Sequence, residues 1–178
     1  MTKYVALLRG IGPGNPNMHG SKLVGVLEDL GFANVRSFIS SGNVLFESPI
    51  KDTAKLELMI EEAWPQKLGF NSTTIIRSQA ELQALVALNP FKGATHSRQS
   101  YLLVTFFKSS RKASLELPYT PPDKAFSILG GNDRAVWSSL DTTSAKTPDL
   151  MVWLEKQFGR DITSRTWNTI NRSLAKMA

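Results

Sequence analysis

Val35-Arg36-Ser37-Phe38-Ile39-Ser40-Ser41-Gly42-Asn43-Val44-Leu45-Phe46-Glu47 is the stretch on which the fold turns. Two strand-forming runs, 35–39 and 44–47, flank the turn cluster 40–43, whose glycine can take the positive φ that a tight reversal needs. Upstream, residues 3–9 read as an apolar strand, and the stretch 10–20, with four Gly and two Pro, reads as a loop. Leu23, Val24, Val26, Leu27 and Leu30 then fall at helical spacing behind an N-cap at Ser21, with Gly31 closing the helix. Downstream, Asp52 caps a second helix carrying Leu56, Met59, Ile60, Ala63 and Trp64 on one face, and residues 73–77 form a fourth strand. The order βαββαβ predicts a ferredoxin-like unit, four antiparallel strands with two helices on one face.

The second half echoes the first. After a short helix at 79–88 and the break Asn89-Pro90-Phe91-Lys92-Gly93, residues 101–107 read as a strand and 110–117 as a short helix. A hairpin, 125–129 and 135–139, turns at Gly130-Gly131-Asn132-Asp133, and Asp149 caps a helix over 150–158. Residues 161–166 form an edge strand, and 167–177 a final helix. The expected fold class is therefore α+β: two ferredoxin-like (βαββαβ-type) subdomains, 1–90 and 91–178, related by internal duplication. Tyr4-Val5-Ala6-Leu7-Leu8 and residues 101–107 are apolar on both faces, whereas a half-exposed antiparallel strand alternates. The expectation is that the sheets pack together, or against a second subunit, with the helices outside.

Composition excludes whole classes of chemistry. Among 178 residues there is no Cys, so disulfides, thiol nucleophiles and thiolate metal sites are absent and a reducing compartment is the expected setting. The only two His, His19 and His96, stand far apart in loops and complete no metal set, and no cofactor is expected. The apolar run 4–8 is too short for a signal peptide, and no stretch nears the roughly 20 apolar residues of a membrane span. The expectation is a cytoplasmic protein, monomeric or homodimeric, with no membrane partner.

A family resemblance rests on Tyr4-Val5-Ala6-Leu7-Leu8-Arg9-Gly10-Ile11, Leu30-Gly31-Phe32, Asn34-Val35-Arg36, Ser41-Gly42-Asn43-Val44, Phe46, Asn89-Pro90-Phe91 and Arg165-x-Trp167-Asn168-Thr169. These motifs together resemble the bacterial domain-of-unknown-function family 1697. The resemblance implies an architecture and a bacterial cytoplasmic setting, and it carries no established chemistry. The chain departs from the family after Arg9-Gly10-Ile11: Gly12-Pro13-Gly14-Asn15-Pro16-Asn17-Met18 stands where Asn-Val-Gly-Gly and a Lys-bearing stretch are usual.

Candidate sites follow from residue type and position. Gly10, Gly12 and Gly14 lie between a strand and a helix N-terminus, the setting of a phosphate cradle. Asn15 breaks the dinucleotide spacing, and Pro13 and Pro16 offer no N–H, so a flexible connector competes with a weak anion site. Arg9 ends an apolar strand and needs solvent or a carboxylate. With the third strand read as parallel to the first, Glu47 is its expected partner, and the turn at 41–43 lies a strand length away, roughly 17–20 Å, outside any shared site. Arg165, Trp167 and Asn168 could hold a phosphate and stack a base. The alternative is Trp167 in the core, Thr166 or Thr163 capping the last helix, and Arg165 in solvent. Glu28-Asp29 and Glu61-Glu62 read as solvated helix faces.

The net charge of +6 belongs to one half. Residues 1–90 hold eight basic and eight acidic side chains, and the remainder holds thirteen basic and seven acidic. Lys92, Arg98, Lys108, Arg111 and Lys112 form one carboxylate-free stretch, and Lys156, Arg160, Arg165, Arg172 and Lys176 oppose Asp161 alone in another. The expected function is a binding module for an anionic partner, nucleic acid or a phosphorylated small molecule, with Arg9, Gly10, Gly12, Arg111, Lys112, Arg165, Trp167, Asn168 and Arg172 as candidates. The alternatives are an enzyme acting on a small anionic metabolite between the halves and a structural homodimer.

Overall fold

The computed structural model describes residues 1–39, 42–112, 115–144 and 146–178. Ser40 and Ser41 of the expected turn, Ala113 and Ser114 of the expected short helix, and Ala145 lie outside the described residues. The chain divides into two compact units, Met1–Gln83 with Ser173–Ala178, and Ala84–Arg172.

The first unit runs β1(Thr2–Leu8), α1(Gly20–Asp29), β2(Ala33–Ser37), β3(Asn43–Ser48), α2(Thr53–Leu68), β4(Thr74–Ser78) and α3(Gln79–Ala87), the last crossing the division. Its sheet has the order β2-β3-β1-β4 and is antiparallel throughout, the ferredoxin-like arrangement. Asp52 caps α2 by accepting from the Lys55 N–H at 3.2 Å, and Gly69 ends it in the left-handed region. α1 starts at Gly20 with His19 as a cap that makes no side-chain bond, so Ser21 lies inside the first turn. Tyr4, Ala6 and Leu8 pack with Leu23, Leu27, Leu56, Ile60 and Trp64 in one core. The Trp64 Nε1–H donates to Thr74 Oγ1 at 2.9 Å, which satisfies a polar atom that burial would otherwise strand. The opposite face of β1, Val5 and Leu7, is buried as well, as its unalternated sequence requires. The end of the chain returns to this unit because Met177 is buried and its carbonyl accepts from Lys3 Nζ and Gln79 Nε2.

The second unit contains β5(Tyr101–Phe107), β6(Phe126–Gly131), β7(Ala135–Leu140), α4(Thr147–Phe158), β8(Ile162–Thr166) and the start of α5(Trp167–Met177). Its sheet, β6-β7-β5-β8, repeats the first strand for strand. The repeat reaches the register. Val5 pairs with Arg77 and Val104 with Arg165; the Leu8 N–H donates to the Gly42 carbonyl and the Phe107 N–H to the Arg134 carbonyl. Ser78 and Thr166 hydroxyls each accept the N–H three residues on, at 3.2 Å, starting α3 and α5.

The units differ between their first and second strands. No described residue of 110–117 is helical; the segment instead ends in a two-way bridge between Tyr119 and Ile128 along the edge of β6. α4 begins before Asp149, whose carboxylate accepts from the Lys146 N–H at 3.0 Å.

One polar atom in the second core stands alone. Ser138 is fully buried, pairs with Leu103 across the strands, and its hydroxyl has no hydrogen-bond partner among the described residues. Ser138→Ala removes that desolvated hydroxyl and is expected to stabilise the protein by about 1 kcal/mol, read as a higher urea midpoint. A lower midpoint would show that the hydroxyl is satisfied in solution.

Candidate functional site

β1 and β3 are antiparallel, with Leu7 opposite Asn43 and Lys3 opposite Glu47. This corrects two expectations. Glu47 sits at the far end of the sheet from Arg9, so the two do not pair as expected, and the β2–β3 turn lies beside the end of β1. The cause is the α1 crossover, which returns β2 in the direction of β1 and so brings the hairpin to the end where β1 finishes.

A cavity of about 600 Å³ opens at this end. One wall is the loop after β1, with Ile11, Gly12, Pro13 and Met18; the other is the hairpin, with Ser37, Phe38, Ile39, Gly42 and Asn43. Its floor is the start of α1, His19, Gly20, Ser21 and Leu23. The loop is no slack connector. Pro16–Met18 form a 3-10 turn capped by Asn15, the Asn17 side chain donates to the Leu68 carbonyl at 3.0 Å, and the Gly12 N–H points to Met18 Sδ at 3.4 Å.

Two glycines let the walls approach. A Cβ on Gly42, whose φ is +78°, would lie 2.7 Å from Ile11 Cγ1 and 2.9 Å from Leu8 Cβ. A Cβ on Gly20 would lie 2.3 Å from Ser37 Oγ. Ile39, β-branched, stands at φ 50° on the rim, a conformation such residues rarely adopt outside functional or strongly constrained segments.

The lining is apolar with a polar minority. Phe38, Met18, Ile11 and Leu23 supply apolar surface, and His19, Ser21, Ser37 and Asn43 supply donors and acceptors. Among the described residues no Asp or Glu lines it. No hydrogen bond joins His19 to Ser21 or Ser37, so the described lining residues hold no preassembled base–nucleophile pair.

The expected site residues scatter. Gly12 lines the cavity, while Gly10 and the half-buried Arg9 lie just outside it. Arg111 donates to the Phe158 carbonyl at the end of α4 and lies 4.8 Å over the Phe107 ring, with its own N–H on the Asp133 carbonyl. In the first unit the corresponding carbonyl, that of Leu68 at the end of α2, accepts from the Asn17 side chain. Lys112, Asn168 and Arg172 are exposed. Trp167 packs edge-on against Phe91, with ring centroids 5.2 Å apart. Arg165 is half-buried as a residue, and its guanidinium donates to Thr163 Oγ1 and the Ser164 carbonyl, both at 2.8 Å. Burial pushes it down to about 10, which still leaves it charged at neutral pH. Lys112 follows Arg111 beyond the end of β5 that pairs with Ile162, where Lys156 and Arg160 precede β8, whereas Trp167 follows β8 at the end that pairs with Leu103, so Lys112 and Trp167 leave the sheet at opposite ends.

Residues 1–132 match the family model described as a protein of unknown function, DUF1697. The chain belongs to that family. The match takes in the cavity and ends in the β6–β7 turn, short of Arg165 and Trp167. A solved structure of a conserved bacterial protein from Streptococcus pneumoniae shares the fold, with a TM-score of 0.71 and 24% identity, covering 99% of this chain and 98% of that one. No curated protein matches. Among the described residues no helix is long and apolar enough to cross a membrane.

Gly42→Ala places a methyl group against Ile11 and Leu8 at a positive φ. It is expected to cost about 2 kcal/mol or more of stability in urea unfolding, whereas Gly14→Ala, where a Cβ meets nothing, is expected to cost far less.

Proposed function

We propose that this DUF1697 protein is a binding module for a small anionic molecule, a phosphorylated one foremost, held in the cavity at the end of the first sheet. The observation that carries the reading is the cavity itself: a concave, mixed-polarity space of about 600 Å³, in the range of small-molecule sites, with no carboxylate among the described residues of its lining. Gly20 and Ser21, the first residues of α1, line it, and a helix start favours negative charge. Phe38, Met18 and Ile11 offer the apolar surface that the body of such a molecule needs. The lack of a preassembled base–nucleophile pair among the described lining residues favours binding over catalysis.

A second reading, nucleic acid bound by the second half, draws on the placement of the whole net charge there and on the exposure of Lys112 and Arg172. That binding would be mainly electrostatic and steeply salt-dependent.

Amide NMR separates the readings. Titration with inorganic phosphate and then a nucleoside monophosphate is expected to shift Gly12, Gly20, Ser21 and Gly42. A single-stranded oligonucleotide that instead shifts Lys112 and Arg172 at low salt, and releases them as salt rises, favours the second reading. Unmoved cavity amides in millimolar phosphorylated ligand overturn the first.

A further inference from the structure

β4 is an edge strand, paired on one side with β1, and its other side carries the backbone groups that a sheet edge leaves open. The sequence there, Thr73-Thr74-Ile75-Ile76, is a β-branched run of the kind that readily recruits another strand. In this structure the outward N–H groups are taken by carboxylates. The Thr74 N–H donates to Glu61 Oε1 at 2.9 Å, the Ile76 N–H to Glu57 Oε1 at 3.0 Å, and the Ser78 N–H to Glu81 Oε2 at 2.8 Å. Alternate residues of a strand point their N–H groups to the same side, and the three acceptors follow that period.

The acceptor side is covered too. Arg77, 1% exposed, donates to the Ile76 carbonyl at 2.8 Å and lies 4.0 Å from Glu81. Glu57 is only 3% exposed, an unusual burial for a carboxylate, and its bond to Ile76 offsets the desolvation. The carboxylates come from two helices, Glu57 and Glu61 one turn apart on α2 and Glu81 in the first turn of α3. Glu61 therefore does not belong to a solvated face, as Glu61-Glu62 suggested, while Glu62 does.

We propose that Glu57, Glu61 and Glu81, with Arg77, form a seal on β4 that prevents the first sheet from pairing edge to edge with a second copy of this chain. A second copy is the partner that the seal excludes, because two β4 strands related by a two-fold axis run antiparallel and would satisfy each other's open groups in one continuous sheet. A glutamate pointed at a strand edge blocks this by occupying the donors that a second strand would need.

The test combines native-state hydrogen exchange with sedimentation. The Thr74, Ile76 and Ser78 amides are expected to be protected in the wild type despite their place on an edge. The triple variant E57A/E61A/E81A is expected to lose that protection about tenfold or more and to sediment as a larger species as concentration rises. E57Q/E61Q/E81Q, which keeps the acceptors, is expected to protect and sediment like the wild type. If the alanine variant fails to fold, the single E81A, whose side chain is 37% exposed, carries the same test at Ser78. Wild-type amides exchanging as fast as an unstructured peptide overturn the proposal, and so does a folded, unprotected alanine variant that sediments like the wild type.

Discussion

The antiparallel register of β1 against β3 is the constraint on which the first unit depends. With Leu7 opposite Asn43, Tyr4, Ala6 and Leu8 face the helices, and the Leu8 N–H finds the Gly42 carbonyl at 2.9 Å. A slip of one residue would turn Val5 and Leu7 toward α1 and α2 and reverse every contact in that core. The same register brings the hairpin beside the loop that leaves β1, and the cavity is the space left between them. Gly42 and Gly20 allow the backbone to come this close where any side chain would collide.

Duplication explains why the two units agree in some places and part in others. Arg77 and Arg165 occupy the same register position, and each donates to the carbonyl of the residue before it. The charge of Arg165 is therefore held against the backbone of its own edge strand, as that of Arg77 is. The units part where the second lacks a helix between its first two strands. There the chain sends Arg111 over Phe107 and onto the end of α4, a favourable place for a cation.

Much of this was legible in the sequence. Hydrophobic spacing at Leu23, Leu27, Leu56, Ile60 and Trp64 marks helical faces because a helix repeats every 3.6 residues. Gly42 marks a turn because only glycine takes its conformation freely. Apolar residues on both faces of β1 and β5 announce burial on both. A hydroxyl cap on α5 was legible as Thr166 or Thr163, and in the structure it is Thr166 that accepts from the Thr169 N–H. The place of the hairpin was also within reach: a helical crossover returns a parallel strand, and that rule sets the turn beside Gly10 and not a strand length away.

By itself, then, the sequence determined the element order outside residues 110–117, the doubling of the sheet and the segregation of charge into the second half, since each is a property of local pattern or composition. Only the tertiary structure decided which polar groups are free to act. Glu57 and Glu62 sit on the same predicted helix, yet one is buried against the edge of β4 and the other faces water. Arg111 and Lys112 are neighbours in a basic run, yet one guanidinium is held on a helix end and the other side chain is exposed. The cavity likewise joins Ile11, Ser21 and Phe38 from three segments. Such partnerships depend on distances across strands and helices far apart in the chain, and no local pattern encodes them.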